Sequence, residues 1–338
     1  MNKRNMPLMG LIMLWINIAV AQENQWNSAR PDGHAPISIM GDHYHKKGEV
    51  MLSYRFMPMW MNGSLESSFD ISNEEIYQNF IIAPQNMQMN MHMLGGMYAP
   101  SDNFTLMVMA NYITNTMVLR AKSGVEFTTQ SGGLGDITIG GLVKFYNKNK
   151  QSLHGNVSMS IPTGDLDQRD ATPLNENAQL AYSMQLGSGT WDPSLGVTYL
   201  GQSSSFSWGA QTKYKLRIGE NSESYKLGNR LDISTWSALN FSKHISFSTS
   251  LSYFKTATIG GADEDLNPMM MPLFDSENSG RSQLDIGLGS NFYLSSGTLK
   301  NLRLAVEVQL PIYQNVVGIQ MKNSLMATVG IQYTIGHH

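Results

Sequence analysis

Methionine and histidine are the residues of this chain most able to do chemistry, and both are spaced rather than scattered. Met57, Met59 and Met61 recur at every second position, as do Met87, Met89, Met91 and Met93, then Met107 and Met109. Spacing by two places each series on one face of a strand. In the first series Val50, Leu52, Tyr54, Phe56 and Trp60 claim the apolar face, so Met57, Met59 and Met61 are expected to point the other way. Phe104, Leu106, Val108 and Tyr112 do the same for Met107 and Met109. Between them, Gln88, Asn90 and His92 form the polar alternates, which predicts an inward His92 and outward methionines in that strand. Thioether sulfur and imidazole suit soft ions such as Cu(I) or Ag(I), so Met57, Met59, Met61, His92, Met107 and Met109 form one candidate set, with copper as its metal. A second candidate group, His34, His43 and His45, lies in a short segment with Met40 and Asp42, and a His-x-His pair can bind Cu(II) or Zn(II). The competing reading makes methionine a flexible gap-filler and leaves the histidines solvated.

The elements that would position these residues are strands. From Leu302 to Tyr313, Leu302, Leu304, Val306, Val308, Leu310 and Ile312 alternate with Arg303, Ala305, Glu307, Gln309, Pro311 and Tyr313, the strand period. Leu325, Ala327, Val329, Ile331, Tyr333 and Ile335 repeat the pattern, and Leu284, Ile286, Leu288, Phe292 and Leu294 precede it. The same rule predicts strands near 48–62, 87–99, 103–118, 134–147, 152–162, 177–187, 191–217, 227–242 and 244–256. Long polar segments at 63–86, 119–133, 163–176 and 257–280 alternate with tight turns such as Asn147 to Lys150 and Ser242 to His244. That alternation is the outer-membrane pattern, with short turns in the periplasm and long loops outside. Aromatics near strand ends (Trp60, Tyr98, Tyr112, Tyr199, Trp208, Tyr293, Tyr313, Tyr333) fit interfacial girdles. Soluble sandwich strands run nearer five or six residues, so strand length favours a membrane barrel.

Composition agrees. Lys3 and Arg4, the apolar run Met6 to Ile18, and Ala19-Val20-Ala21 form a secretory signal expected to end at residue 21, leaving a tail or plug at 22–47 and a barrel over 48–338. The mean hydropathy of -0.23 is low because only alternate barrel residues meet lipid. There are no cysteines, and a closed hydrogen-bonded barrel is stable without disulfides. The formal charge of -3 offers no nucleic-acid footprint. With periplasmic termini the strand number is even; counting 191–217 as one crossing gives twelve antiparallel strands, with fourteen the neighbouring solution. An Arg or Lys facing lipid at mid-membrane costs about 2–4 kcal/mol. Arg55, Asp136, Lys144, His154, Lys213, Lys215, Arg217, Asp232, Asp285, Arg303 and Glu307 are therefore expected to line the lumen.

Several runs resemble one subgroup of outer-membrane proteins: Met40-Gly41-Asp42-His43-Tyr44-His45 to Arg55, Ala83-Pro84 with Met87 to Gly95, Met97 to Asp102, and Gly133-Leu134-Gly135-Asp136. The group resembles the broad family named after the meta-pathway of phenol degradation and, more distantly, the long-chain fatty-acid transporters. The resemblance implies a barrel in the outer membrane of a Gram-negative bacterium, surrounded by lipid, assembled by the barrel-assembly machinery, and engaged in transport. The leading expectation is a channel for a small solute, linked through lumen Met and His to copper or another soft ion. The alternatives are an uptake channel for hydrophobic or aromatic compounds, an outer-membrane hydrolase, and a structural barrel. No local signature joins Ser, His and Asp as a hydrolase needs, so no catalytic residues and no enzymatic activity are expected.

Overall fold

The computed structural model describes residues 25–336; the expected signal segment lies outside these. Twelve strands form one antiparallel barrel in chain order: β1 (Val50–Glu66), β2 (Ile82–Ser101), β3 (Phe104–Ala121), β4 (Ile137–Lys148), β5 (Gln151–Ile161) and β6 (Asp192–Gln202). The rest are β7 (Phe206–Lys215), β8 (Arg230–Asn240), β9 (Ile245–Thr256), β10 (Arg281–Tyr293), β11 (Leu302–Val316) and β12 (Ile319–Ile335). Each pairs with its neighbours, and β12 pairs with β1 from Val50–Ile335 to Glu66–Ile319, which closes the ring. Two further strands, Phe69–Ile71 and Glu126–Leu134, pair with the outer parts of β1 and β3. Closure pairs each of the twelve ring strands on both sides, the condition for strands in a bilayer.

Alternation decides which way each residue faces. On β11, Arg303, Ala305, Glu307 and Gln309 are buried while Leu304, Val306, Val308 and Leu310 are exposed. The exposed set continues around the ring through Leu52, Leu94, Leu106, Val108, Leu195, Leu251, Leu288 and Val329. Such a belt would be an aggregation surface in water and is the lipid-facing band of a membrane barrel. Tyr293, expected in a girdle, is instead buried in the lumen with the Arg303 guanidinium 4.9 Å from its ring centroid.

The strand count is twelve, but three of the expected segments are corrected. The 191–217 segment makes two crossings, turning at Ser203 to Ser205 where the Ser203 N–H donates to the Phe206 carbonyl at 2.7 Å. The 177–187 segment makes none; it holds a short 3-10 turn, Tyr182–Met184, in the loop between β5 and β6. Apart from Ala178 and Gln179, which pair with Asp170 and Arg169 outside the barrel sheet, its alternation has no partner strand, and a strand needs one. The 119–133 segment is likewise not all loop, since Glu126–Leu134 pairs with β3 before the chain breaks at Gly135 and Asp136 into β4.

The upper end, by the long loops, is filled from above. Leu180, Ala181 and Met184 of one loop and Met271 and Leu273 of another pack on Met87, Met117, Leu119 and Met321 of the wall. Asp136 ties the first of these loops down, accepting from the N–H groups of Gly164 (3.0 Å) and Ser188 (2.9 Å) and from the Ser188 hydroxyl (2.7 Å).

Candidate functional site

The tail before β1 is inside the barrel. Residues 25–30 sit at the lower, short-turn end: the Trp26 N–H donates to Asn147 Oδ1 (3.0 Å), and Arg30 donates to the Ser203 carbonyl (2.7 Å). The chain rises into the lumen, where Pro31 to Ile37 are all buried, and turns over at Ser38 to Met40. It then descends through Asp42 and His45 to β1. Gly41, with φ of +68°, makes the reversal against Asn156 and Leu142, a conformation that favours glycine.

Each leg carries unpaired backbone groups into a space without strands, so the wall must satisfy them. Arg303 donates to the carbonyls of Pro31 (2.7 Å), Arg30 (2.8 Å) and Ser28 (3.2 Å). Arg55 Nε donates to the Ile37 carbonyl (3.0 Å), and Glu307 accepts from the Ser38 N–H (3.0 Å). The Ser207 hydroxyl donates to the Asp32 carbonyl (2.6 Å), Gln211 to the Met40 carbonyl (3.2 Å), and His154 Nε2 lies 3.0 Å from the Gly41 carbonyl. Ala35 and Ile39 add apolar contact with Leu200 and Trp236. The inward charges of this level thus hold a plug.

Above the plug lies a cavity of about 680 Å³ whose floor is Ser38, Ile39 and Met40. One wall is apolar: Met57, Met59 and Met61 of β1 with Met321, Leu325 and Met326 of β12. The opposite wall carries Lys213 and Lys215 of β7, Arg230 and Asp232 of β8, and Arg281 and Asp285 of β10, with Arg217 just beyond β7. Lys215 is paired directly across from Arg230, a like-charge pairing that is unfavourable without an anion between. Arg230 is bound to Asp232 at 2.8 Å and Arg217 to Asp192, whereas Lys213 and Lys215 are in no ion pair among the described residues. A second space of about 580 Å³, at the lower mouth, is lined by Trp26, His43, His45, Glu49 and Lys144.

The structure divides the residues singled out in the sequence. Arg55, His154, Arg303 and Glu307 face the plug, and Lys144 reaches toward the ring of Tyr44 (5.5 Å). Lys213, Lys215, Arg217, Asp232 and Asp285 face the upper cavity. Asp136 is not in the wall but in the outer loops. Met107 and Met109 turn inward near the lower end, apart from Met57, Met59 and Met61, with Met107 packed against Met51, Met97 and Leu142. His92 is a correction: it pairs with Phe56 in the register, is exposed outside the barrel, and lies 2.8 Å from the Tyr54 hydroxyl. Met87, Met89 and Met91 stand opposite Met61, Met59 and Met57, and directly opposed residues share a face, so these methionines point inward. No soft-metal set therefore forms from His92 and the lumen methionines.

His34, Asp42 and His43 do come together, all buried. Burial holds the His34 imidazole well below its ordinary value, with Arg303 acting the same way, and lowers His45 against the opposing hydrogen bond to Glu49. Burial alone would raise the Asp42 carboxyl; His43 and the Ala35 N–H outweigh it and hold it well below the usual range. The proximity of residues 34 and 43 depends on the reversal at Gly41, which periodicity does not reveal. Among the described residues no histidine ring nitrogen is hydrogen-bonded to a serine: the ring partners are Gln332, Asp42, Glu49, Tyr54 and the carbonyls of Gly41 and Tyr293.

A closed twelve-strand ring with an outward apolar belt, periplasmic-type short turns and a filled polar lumen defines an outer-membrane β-barrel of Gram-negative bacteria. The chain belongs to the family described as "Putative MetA-pathway of phenol degradation", whose model matches residues 78–296. Its fold is similar to that of an outer membrane channel from Pseudomonas putida F1, with a TM-score of 0.60 at 11% identity over 88% of this chain and 99% of that one. A FadL homologue from Pseudomonas aeruginosa aligns over 93% of this chain and 100% of that one, at 9% identity and a TM-score of 0.46. No curated protein matches the sequence significantly.

Proposed function

We propose that this barrel is a plugged channel for small solutes that combine an apolar, aromatic body with an anionic group. The observation that carries this reading is the two-sided upper cavity, thioether and aliphatic on β1 and β12, cationic on β7, β8 and β10. Its volume suits a molecule of drug size or smaller. A hydrocarbon ring would lie against Met57, Met59 and Met61, while a carboxylate or phenolate would relieve the repulsion between Lys215 and Arg230. Aromatic compounds are also the chemistry named in the family description.

Planar-bilayer recording tests it. A chain lacking residues 25–45 is expected to conduct anions in preference to cations, with benzoate slowing the chloride current and benzylamine leaving it unchanged. Lys213→Gln with Lys215→Gln should weaken the benzoate block by about tenfold, the loss of roughly 1.4 kcal/mol. Cation preference, or equal block by benzylamine, would refute the reading.

A further inference from the structure

His34 stands on the rising leg of the plug, and Asp42 and His43 on the descending one. A nitrogen or carboxylate oxygen from each lies within 4.8 Å of the other two, and all three side chains are buried. The His34 and His43 ring centroids are 3.7 Å apart, and His45 follows at 4.9 Å from His43.

The hydrogen bonds around these rings are arranged alike. Nδ1 of His34 lies 3.2 Å from Gln332 Oε1, that of His43 2.9 Å from Asp42 Oδ1, and that of His45 3.2 Å from Glu49 Oε2. Oxygens accept, so each Nδ1 carries the proton and each Nε2 keeps its lone pair. Metal-binding imidazoles are oriented by the same kind of partner. Nε2 of both His43 and His45 is buried and has no hydrogen-bond partner, an arrangement that is unfavourable unless something is bound there. The surrounding charges do not exclude a cation: Arg55 and Arg303 are near, but the Asp42 carboxylate acts on both, and Glu49 is bonded to His45.

We propose that His34, Asp42 and His43, with His45 beside them, bind one divalent transition-metal ion, and that this ion staples the two legs of the plug together. Imidazole nitrogen with carboxylate oxygen, and no thioether, selects Zn(II) or Cu(II) over Cu(I), Mg(II) or Ca(II). The ion would reinforce the contact already made across the legs, where the Ala35 N–H donates to Asp42 Oδ2 at 2.9 Å. The inference is independent of which solute the cavity takes.

The test is calorimetric titration of the chelator-treated, detergent-solubilised full chain with Zn(II), Cu(II) and Mg(II). One Zn(II) or Cu(II) per chain is expected, and no Mg(II). His34→Gln with His43→Gln should weaken binding by at least about tenfold, and His92→Gln should not change it. Asp42→Asn, which keeps every histidine, should also weaken it, and the heat-dependent gel shift of a folded barrel checks that each variant is assembled. Amide exchange in residues 31–43 should slow on adding metal to the unaltered chain alone. Absence of saturable binding of either ion, or undiminished binding by the double variant, would overturn the proposal.

Discussion

Arg303 gives the sharpest test of the plug. Replacing it with Met keeps an unbranched, largely apolar stem but removes the donors to Ser28, Arg30 and Pro31, along with the guanidinium contact on the Tyr293 ring, which lies within the wall and does not touch the tail. A hydrogen bond from a charged donor can be worth 1.5–3 kcal/mol, but a released tail exposes its carbonyls to water, so a net of about 1 kcal/mol per bond is the appropriate figure. Three bonds then give about 3 kcal/mol, roughly a hundredfold rise in the population of the released tail. Arg55→Met removes the single bond to the Ile37 carbonyl and should raise that population only about fivefold, from about 1 kcal/mol. Amide exchange of residues 28–43, followed by mass spectrometry in micelles, reads the ratio directly. The reasoning fails if Arg303→Met changes exchange by less than about twofold, or if Arg55→Met has the larger effect.

Gly330 of β12 leaves room for the Ile37 side chain, whose Cδ1 would lie 2.9 Å from an added Cβ. Gly330→Val should therefore raise single-channel conductance while removing no hydrogen bond; an unchanged closed state would contradict this. Asp136→Ala strands the N–H groups of Gly164 and Ser188 and should loosen the outer loop by about 1–3 kcal/mol, seen as faster proteolysis within residues 162–191. Gly209→Ala drives a methyl into the buried ring of Trp236 and should lower barrel stability by about 1–3 kcal/mol, measured by urea unfolding in micelles. Equal unfolding midpoints for the two proteins would sink that expectation.

Where a strand crosses lipid, its facing was legible from the sequence, because one side must be apolar and the other polar. Arg303, Glu307 and Gln309 against Leu304, Val306 and Val308 show it. The rule fails on the outer half of β2. β1, β2 and β3 run 17, 20 and 18 residues, more than the roughly 9–11 that a bilayer requires. Their upper parts are thus long enough to stand clear of lipid, where Gln88 and His92 can face outward while Met87 packs against inserted loops. Polarity there points the opposite way from polarity in the membrane. The Ser203 to Ser205 turn was obscured for a related reason: with alternation running through Leu195, Val197 and Tyr199 before it and Phe206 and Trp208 after it, only pairing distinguishes a bulge from a hairpin. The site was half legible. His34, His43 and His45 were recognisable as donors, but their meeting depends on a reversal inside the lumen that no local pattern encodes.

Both legs of the tail leave through the same mouth, and that geometry sets how the barrel could open. A pull on the chain at Gln25 from the short-turn side loads Trp26 and Asn147 first, then Asn27 and Gln202, then Ser28 and Arg30 with Arg303 and Ser203, then the Pro31 carbonyl on Arg303. The contacts would break in series, as a zipper does, rather than together as in a sheared strand. No free end has to be threaded through the pore, and the released loop stays tethered to β1, so closure is a refolding event within one molecule and independent of protein concentration.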